Sequence, residues 1–226
     1  MGEIVQLKAS DGHELAAYVA EPHDESRGKP RGGIVVIQEI FGVNSHVRAI
    51  ADGFAADGYR VMAPAMFDRI ERNVDLGYDP DSVTAGRELK GRMDWDSPLL
   101  DIRAAIDALA GLKIGVVGYC WGGSLAWLAA TRLDGIAATV CYYGGQINDF
   151  RDESAKCPVL MHFGSEDASI PMDAVEAVRA AQPEIPIHVY EGAGHGFNCD
   201  QRGSYDSGAS ATARQRTMEF LASEFA

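Results

Sequence analysis

One cysteine in this chain sits in a frame suited to nucleophilic attack. Cys120 lies within Gly118-Tyr119-Cys120-Trp121-Gly122-Gly123, after the apolar run Ile114–Val117 and before a helical pattern. Glycines two residues before and two after a nucleophile let a strand-to-helix turn fold sharply and lift the side chain clear of the sheet. A side chain at Gly118 or Gly122 would collide with neighbouring backbone. The helix N-terminus behind the turn favours negative charge, which suits a thiolate and an oxyanion alike. The bland alternative is a structural cysteine, because free cysteine is often buried. The flanking glycines argue against it.

A nucleophile needs a base, and the base needs an orienting group. Two later segments offer them. Gly164-Ser165-Glu166-Asp167 follows the apolar run Pro158–Phe163, and Ala193-Gly194-His195-Gly196-Phe197 follows Ile187–Tyr190. Both lie just beyond the C-terminal ends of expected strands, where open α/β sheets place their sites. His195 stands among glycines with no apolar face to pack on. Asp167 competes with Glu166 for the orienting role, and its offset from the strand favours it. His162 and His188 fall inside strands and read as core or edge residues. His13, His23 and His46 have no motif around them.

A second constellation follows the apolar run Ile34–Ile37: Gln38-Glu39-Ile40-Phe41-Gly42-Val43-Asn44. The loop after that strand is expected to give one backbone N–H to an oxyanion, with the residue after the nucleophile giving the other. This selects Ile40 and Trp121. Glu39 ends a buried strand, so its charge needs a partner. Either it forms a structural salt bridge, with Arg48 as the candidate, or it is a carboxylate that controls the protonation of the thiol.

The elements that must hold these residues read as alternating strands and helices. Glu3–Lys8 and Glu14–Ala20 suggest an antiparallel edge pair around Asp11-Gly12. Gly32–Gln38, Tyr59–Ala63, Lys113–Gly118, Ile136–Tyr142, Pro158–Phe163 and Ile187–Tyr190 read as buried strands. Helices are expected at Ser45–Asp57 with Asn44 as its cap, Ser97–Ala110, Trp121–Arg132, Pro171–Ala181 and Ala209–Glu224. Pro22–Arg31 reads as a surface loop. Residues 64–96 lack a clear period and read as an irregular, pocket-lining or lid-like excursion. The whole is one α/β domain spanning 1–226, a mainly parallel sheet with helices on both faces.

Composition narrows the function classes. The 226 residues carry a formal net charge of −13, which disfavours nucleic acid as a partner. Cys120, Cys141, Cys157 and Cys199 show no CxxC spacing, so no metal site is expected. No phosphate-binding glycine loop follows a strand, and no cofactor is expected. No run is long enough to span a membrane and no leader is visible, so a reducing cytoplasm, where a free thiol survives, is the expected compartment. A monomer or small homo-oligomer is expected.

The chain resembles the dienelactone hydrolase (carboxymethylenebutenolidase) family of the α/β-hydrolase superfamily. The resemblance rests on QEIFGVN at 38–44, GYCWGG at 118–123, Glu166-Asp167 and AGHGF at 193–197. It implies an α/β-hydrolase fold and a Cys120–His195–Asp167 triad. It also implies a neutral resting thiol directed at Glu39, which takes the thiol proton when substrate binds. The implied reaction opens a lactone or ester through a thioacyl-enzyme, with dienelactone the family substrate, and Phe41, Tyr143, Phe197 and Arg87 are candidates to touch it. One departure stands out. The family holds its substrate carboxylate with arginines, one of them four residues after the catalytic histidine, and that position here is Cys199. Other readings are an esterase or thioesterase on another small acyl substrate, a glutamine amidotransferase-like cysteine enzyme, and a ligand receptor without catalysis. Asp167 and His195 lie on separate loops rather than in a His-x-Glu pair, which disfavours the amidotransferase.

Overall fold

A computed structural model describes residues 2–22 and 29–226. The chain groups into two compact units, Met1–Val116 and Val117–Ala226, and passes from one to the other inside a strand. The sequence expectation was a single domain.

In the first unit, β1 (Glu3–Lys8) pairs antiparallel with β2 (Glu14–Ala20), in register from Glu3 opposite Val19 to Lys8 opposite Glu14. β2 pairs antiparallel with β4 (Arg60–Pro64), and β4 pairs parallel with β3 (Gly33–Ile37). The strand order is β1-β2-β4-β3, and then β5 (Ile114–Tyr119). Every residue of β3 is buried, which explains its unbroken apolar sequence: a parallel strand covered on both faces has no polar side to display. α1 (Ser45–Ala56) and α3 (Ser97–Ala108) pack on these strands. Asn44 caps α1 as expected, its Oδ1 accepting from Val47 N.

The second unit continues from β5 through β6 (Ala138–Tyr142), β7 (Val159–Gly164) and β8 (Ile187–Tyr190). β7 pairs parallel with both β6 and β8. α4 (Trp121–Arg132) packs on β6, and α6 (Ser207–Glu224) packs on β6 and β7. α5 (Met172–Ala181) follows the loop that carries Asp167.

The main correction concerns residues 64–96. They form a 3-10 turn at Met66–Arg69 and a helix, α2 (Pro80–Gly91), rather than irregular chain. Asp79 caps α2 by accepting from Asp81 N and Ser82 N, and Pro80 fills its first turn, a start signal overlooked because the helix has few apolar residues. Only Gly86 and Leu89 of α2 are buried, too few to set up a helical period. The loop expected at Pro22–Arg31 falls largely outside the described residues, as does His23.

Candidate active site

Cys120 occupies the turn between β5 and α4 with φ 55° and ψ −119°. A residue with a Cβ rarely adopts a positive φ, and such strain persists only where the surroundings impose it. Here Cys120 N donates to Tyr142 O at 3.0 Å, and Cys120 O accepts from Gly123 N at 2.9 Å and Ser124 N at 3.2 Å. A Cβ on Gly118 would collide with the Gly122 carbonyl, so the expected steric need for glycine holds there. Behind the turn, Ser124 Oγ accepts from Gln146 N at 3.0 Å, which ties the first turn of α4 to the segment after β6.

The second unit brings three of the expected residues together. His195 Nε2 lies 3.1 Å from Cys120 Sγ. His195 Nδ1 lies 2.7 Å from Asp167 Oδ2. The other carboxylate oxygen of Asp167 accepts from Ser169 N at 2.8 Å, so a buried carboxylate has both oxygens engaged. Glu166 is exposed. The competition between the two acids is therefore resolved by geometry in favour of Asp167.

The electrostatics of His195 follow from these contacts. Burial favours the neutral ring, but the charge of Cys120 and the hydrogen bonds to Asp167 and Cys120 outweigh it, and the pKa is raised to about 10. An imidazole held this way keeps a proton beside the sulfur. Within the second unit, the sulfur of Cys120 is thus in hydrogen-bond reach of His195.

The loop bearing His195 is held from several sides. Glu166 N donates to Ala193 O at 3.0 Å, and Gly192 N donates to Ser165 Oγ at 2.8 Å. Ser204 Oγ donates to His195 O at 2.6 Å. The guanidinium of Arg202 covers the face of Gly196, where a Cβ would overlap it. Sequence reasoning missed Ser204 and Arg202, because no local pattern marks a loop that folds back on itself. Tyr143, at φ 36°, sets its ring 5.2 Å from that of His195 and 5.3 Å from that of Phe197. Phe197 is fully buried and also packs on Tyr142 and Tyr190. Tyr143 thus packs on the histidine ring, with Phe197 behind it.

In the first unit, Glu39 and Ile40 lie just past β3, and both are buried. Arg48 does not serve Glu39 as a salt-bridge partner: it pairs with Asp75 at 2.9 Å and donates to Val43 O at 2.7 Å. Instead Tyr78 Oη donates to Glu39 Oε2 at 3.3 Å. Gln38 Nε2 donates to Glu39 O at 3.3 Å while its Oε1 accepts from Met66 N at 3.1 Å. Glu39 O and Ile40 N–H share one peptide plane, so holding the carbonyl also aims the amide. Phe41 is buried against Tyr78, ring centroids 4.6 Å apart. α2 turns Gly86 toward Ile40, where a Cβ would collide with the Ile40 carbonyl. Arg87, the next residue, is exposed.

The profile of the Dienelactone hydrolase family matches residues 15–225. The chain belongs to the dienelactone hydrolase family. A Synechocystis protein is 36% identical over 231 residues, covering 93% of this chain and 92% of its own. The carboxymethylenebutenolidase of Pseudomonas putida is 30% identical, covering 97% and 96%. A Klebsiella pneumoniae protein solved by crystallography superposes with a TM-score of 0.84 at 30% identity, covering 97% of this chain and 99% of that one. The fold is that of an α/β-hydrolase, and the family's chemistry is hydrolysis of ester or lactone bonds. Among the described residues, no helix is long and apolar enough to cross a membrane.

Proposed function

We propose that this member of the dienelactone hydrolase family opens a small lactone or ester through a thioacyl-enzyme on Cys120, with a dienelactone as its substrate. The observation that carries the reading is the chain of contacts from Cys120 Sγ to His195 at 3.1 Å and from His195 to Asp167 at 2.7 Å. That spacing is what a nucleophile, its base and an orienting acid require.

Sulfur attacks the carbonyl carbon, and the N–H groups of Ile40 and Trp121, the donors that the sequence motifs select, donate to the developing oxyanion. The thiol proton passes to Glu39, the acceptor that the family resemblance assigns, and from there to the leaving enolate or alkoxide. That transfer leaves His195 free for the second half. Water attacks the thioester, His195 takes its proton, and collapse of the intermediate releases the acid and returns the proton to sulfur. Once Cys120 is acylated its charge no longer holds a proton on His195, so the ring is free to take the water proton, and Asp167 stabilises the imidazolium that forms. Arg87 on α2 is proposed to meet an anionic end of the substrate.

Turnover of dienelactone and p-nitrophenyl acetate by wild type and Cys120→Ala tests the reading. Both activities are expected to disappear in the variant. Retention of either would overturn the role of Cys120. Hydrolysis of the acetate alone by wild type would keep the chemistry and reject the substrate.

A further inference from the structure

The buried carboxylate of Glu39 has a donor that no sequence pattern announced. We infer that Tyr78 is a positioning residue that holds Glu39 in its ionised, proton-accepting form. The inference rests on the proposed role of Glu39 and deepens it.

Asn44 sets the direction of the hydrogen bonds that reach Glu39. Its Oδ1 accepts from Val47 N at 3.2 Å to cap α1. Its Nδ2 donates to Leu76 O at 3.0 Å and lies 3.1 Å from Tyr78 Oη. Both backbone partners dictate the amide's orientation: an N–H needs the oxygen, and a carbonyl needs the NH2. The NH2 therefore faces Tyr78, and a phenol oxygen that accepts from an amide keeps its own proton for another acceptor. That acceptor is Glu39 Oε2, at 3.3 Å. Proton direction runs one way, from Asn44 through Tyr78 to Glu39.

The ring of Tyr78 has little freedom to turn away. It packs edge-on against Phe41 with centroids 4.6 Å apart and against His46 with centroids 6.4 Å apart. Leu76 N donates to Phe41 O at 2.9 Å, and Gly42 bridges to Asp75. The segment just before Tyr78 is thus stitched to the loop that carries Glu39.

The consequence is chemical. Only an ionised carboxylate can accept a thiol proton, and a hydroxyl donor aimed at Oε2 pairs with that form. The 3.3 Å separation is longer than a charge-assisted O–H···O bond, which leaves room to tighten around a full negative charge.

The test is the acid limb of kcat/KM, measured with p-nitrophenyl acetate for wild type, Tyr78→Phe and Glu39→Gln. Phenylalanine keeps the ring packing and removes only the hydroxyl. Loss of one hydrogen bond to the charged form is expected to move the limb up by about one pH unit, with KM little changed. Glu39→Gln is expected to lose that limb. A wild-type limb in Tyr78→Phe, with the limb lost in Glu39→Gln, would refute the inference and leave the role of Glu39 standing. A wild-type limb and rate in Glu39→Gln would refute that role and the inference together.

Discussion

The protonation of His195 depends on both of its neighbours, Cys120 and Asp167. His195 is raised to about 10 against the pull of burial, first by the charge of Cys120 and then by its hydrogen bond to Asp167. Replacing Cys120 with serine removes that charge. The His195 pKa is then expected to fall below its wild-type value, read from its ring-proton NMR shifts across pH; an unchanged titration would mean that sulfur is not its partner. Much of this site was legible in the sequence. The glycines around Cys120 and His195 flagged both residues because their steric reasons are local. Ser204 left no local signal, since its hydroxyl reaches His195 O across a fold-back of the loop. The Tyr78 contact of Glu39 was missed for the same reason. Arg48 was the plausible cation nearby in sequence, but Asp75 takes it, and Tyr78 arrives from a segment with no clear period.

Among the elements of the first unit, α2 bears most directly on the Glu39–Ile40 peptide. It was invisible to periodicity because only two of its residues are buried. One of them, Gly86, lies so close to Ile40 that any side chain would strike the Ile40 carbonyl. Gly86→Val should therefore push α2 away or twist the Glu39–Ile40 peptide. The expected result is a loss of about 1–3 kcal/mol in stability, with a drop in kcat larger than any change in KM. Urea unfolding and steady-state kinetics would read the two effects. Wild-type kcat in this variant would show that the Ile40 peptide is not held by α2. The buried strands, by contrast, were read almost to the residue. β3, β5, β6 and β7 are buried along their whole length, so their sequences are largely apolar, Thr139 and His162 excepted. Their bounds shifted by one or two residues where a strand end turns into a site loop.

At the scale of the whole molecule, two histidines give stability opposite slopes with pH. His162 on β7 is fully buried, with Nδ1 2.9 Å from Tyr190 Oη and Nε2 3.1 Å from Thr217 Oγ1. Burial first, then the charges of His188 and Arg216, hold its pKa well below the ordinary value. Its neutral form is the folded form, so its contribution is complete above about pH 6.5 and is lost as pH falls. His195 has the opposite sign. Its folded pKa lies above the unfolded value, so its contribution is complete below about pH 6.5 and is lost as pH rises toward 10. Urea midpoints measured across pH should show both slopes. His162→Gln is expected to flatten the acid side, and an unchanged acid slope would contradict the assignment. The family assignment matches this scale of agreement, since residues 15–225 are covered as one stretch. What the sequence left open is the substrate's anionic end. Cys199 stands where the family resemblance led us to expect an arginine, and the exposed position of Arg87 is a property of α2 that no spacing discloses.

The central claim is covalent catalysis by Cys120, and the most direct measurement is the intact mass of the enzyme during turnover. In His195→Asn, deacylation loses its base, so mixing with p-nitrophenyl acetate should trap an adduct of one acetyl group, mapped by peptide mass spectrometry to Cys120 and absent when Cys120→Ala is added to the same variant. An acetyl group on any other residue, or hydrolysis by wild type that persists after Cys120 has been fully alkylated, would contradict the account.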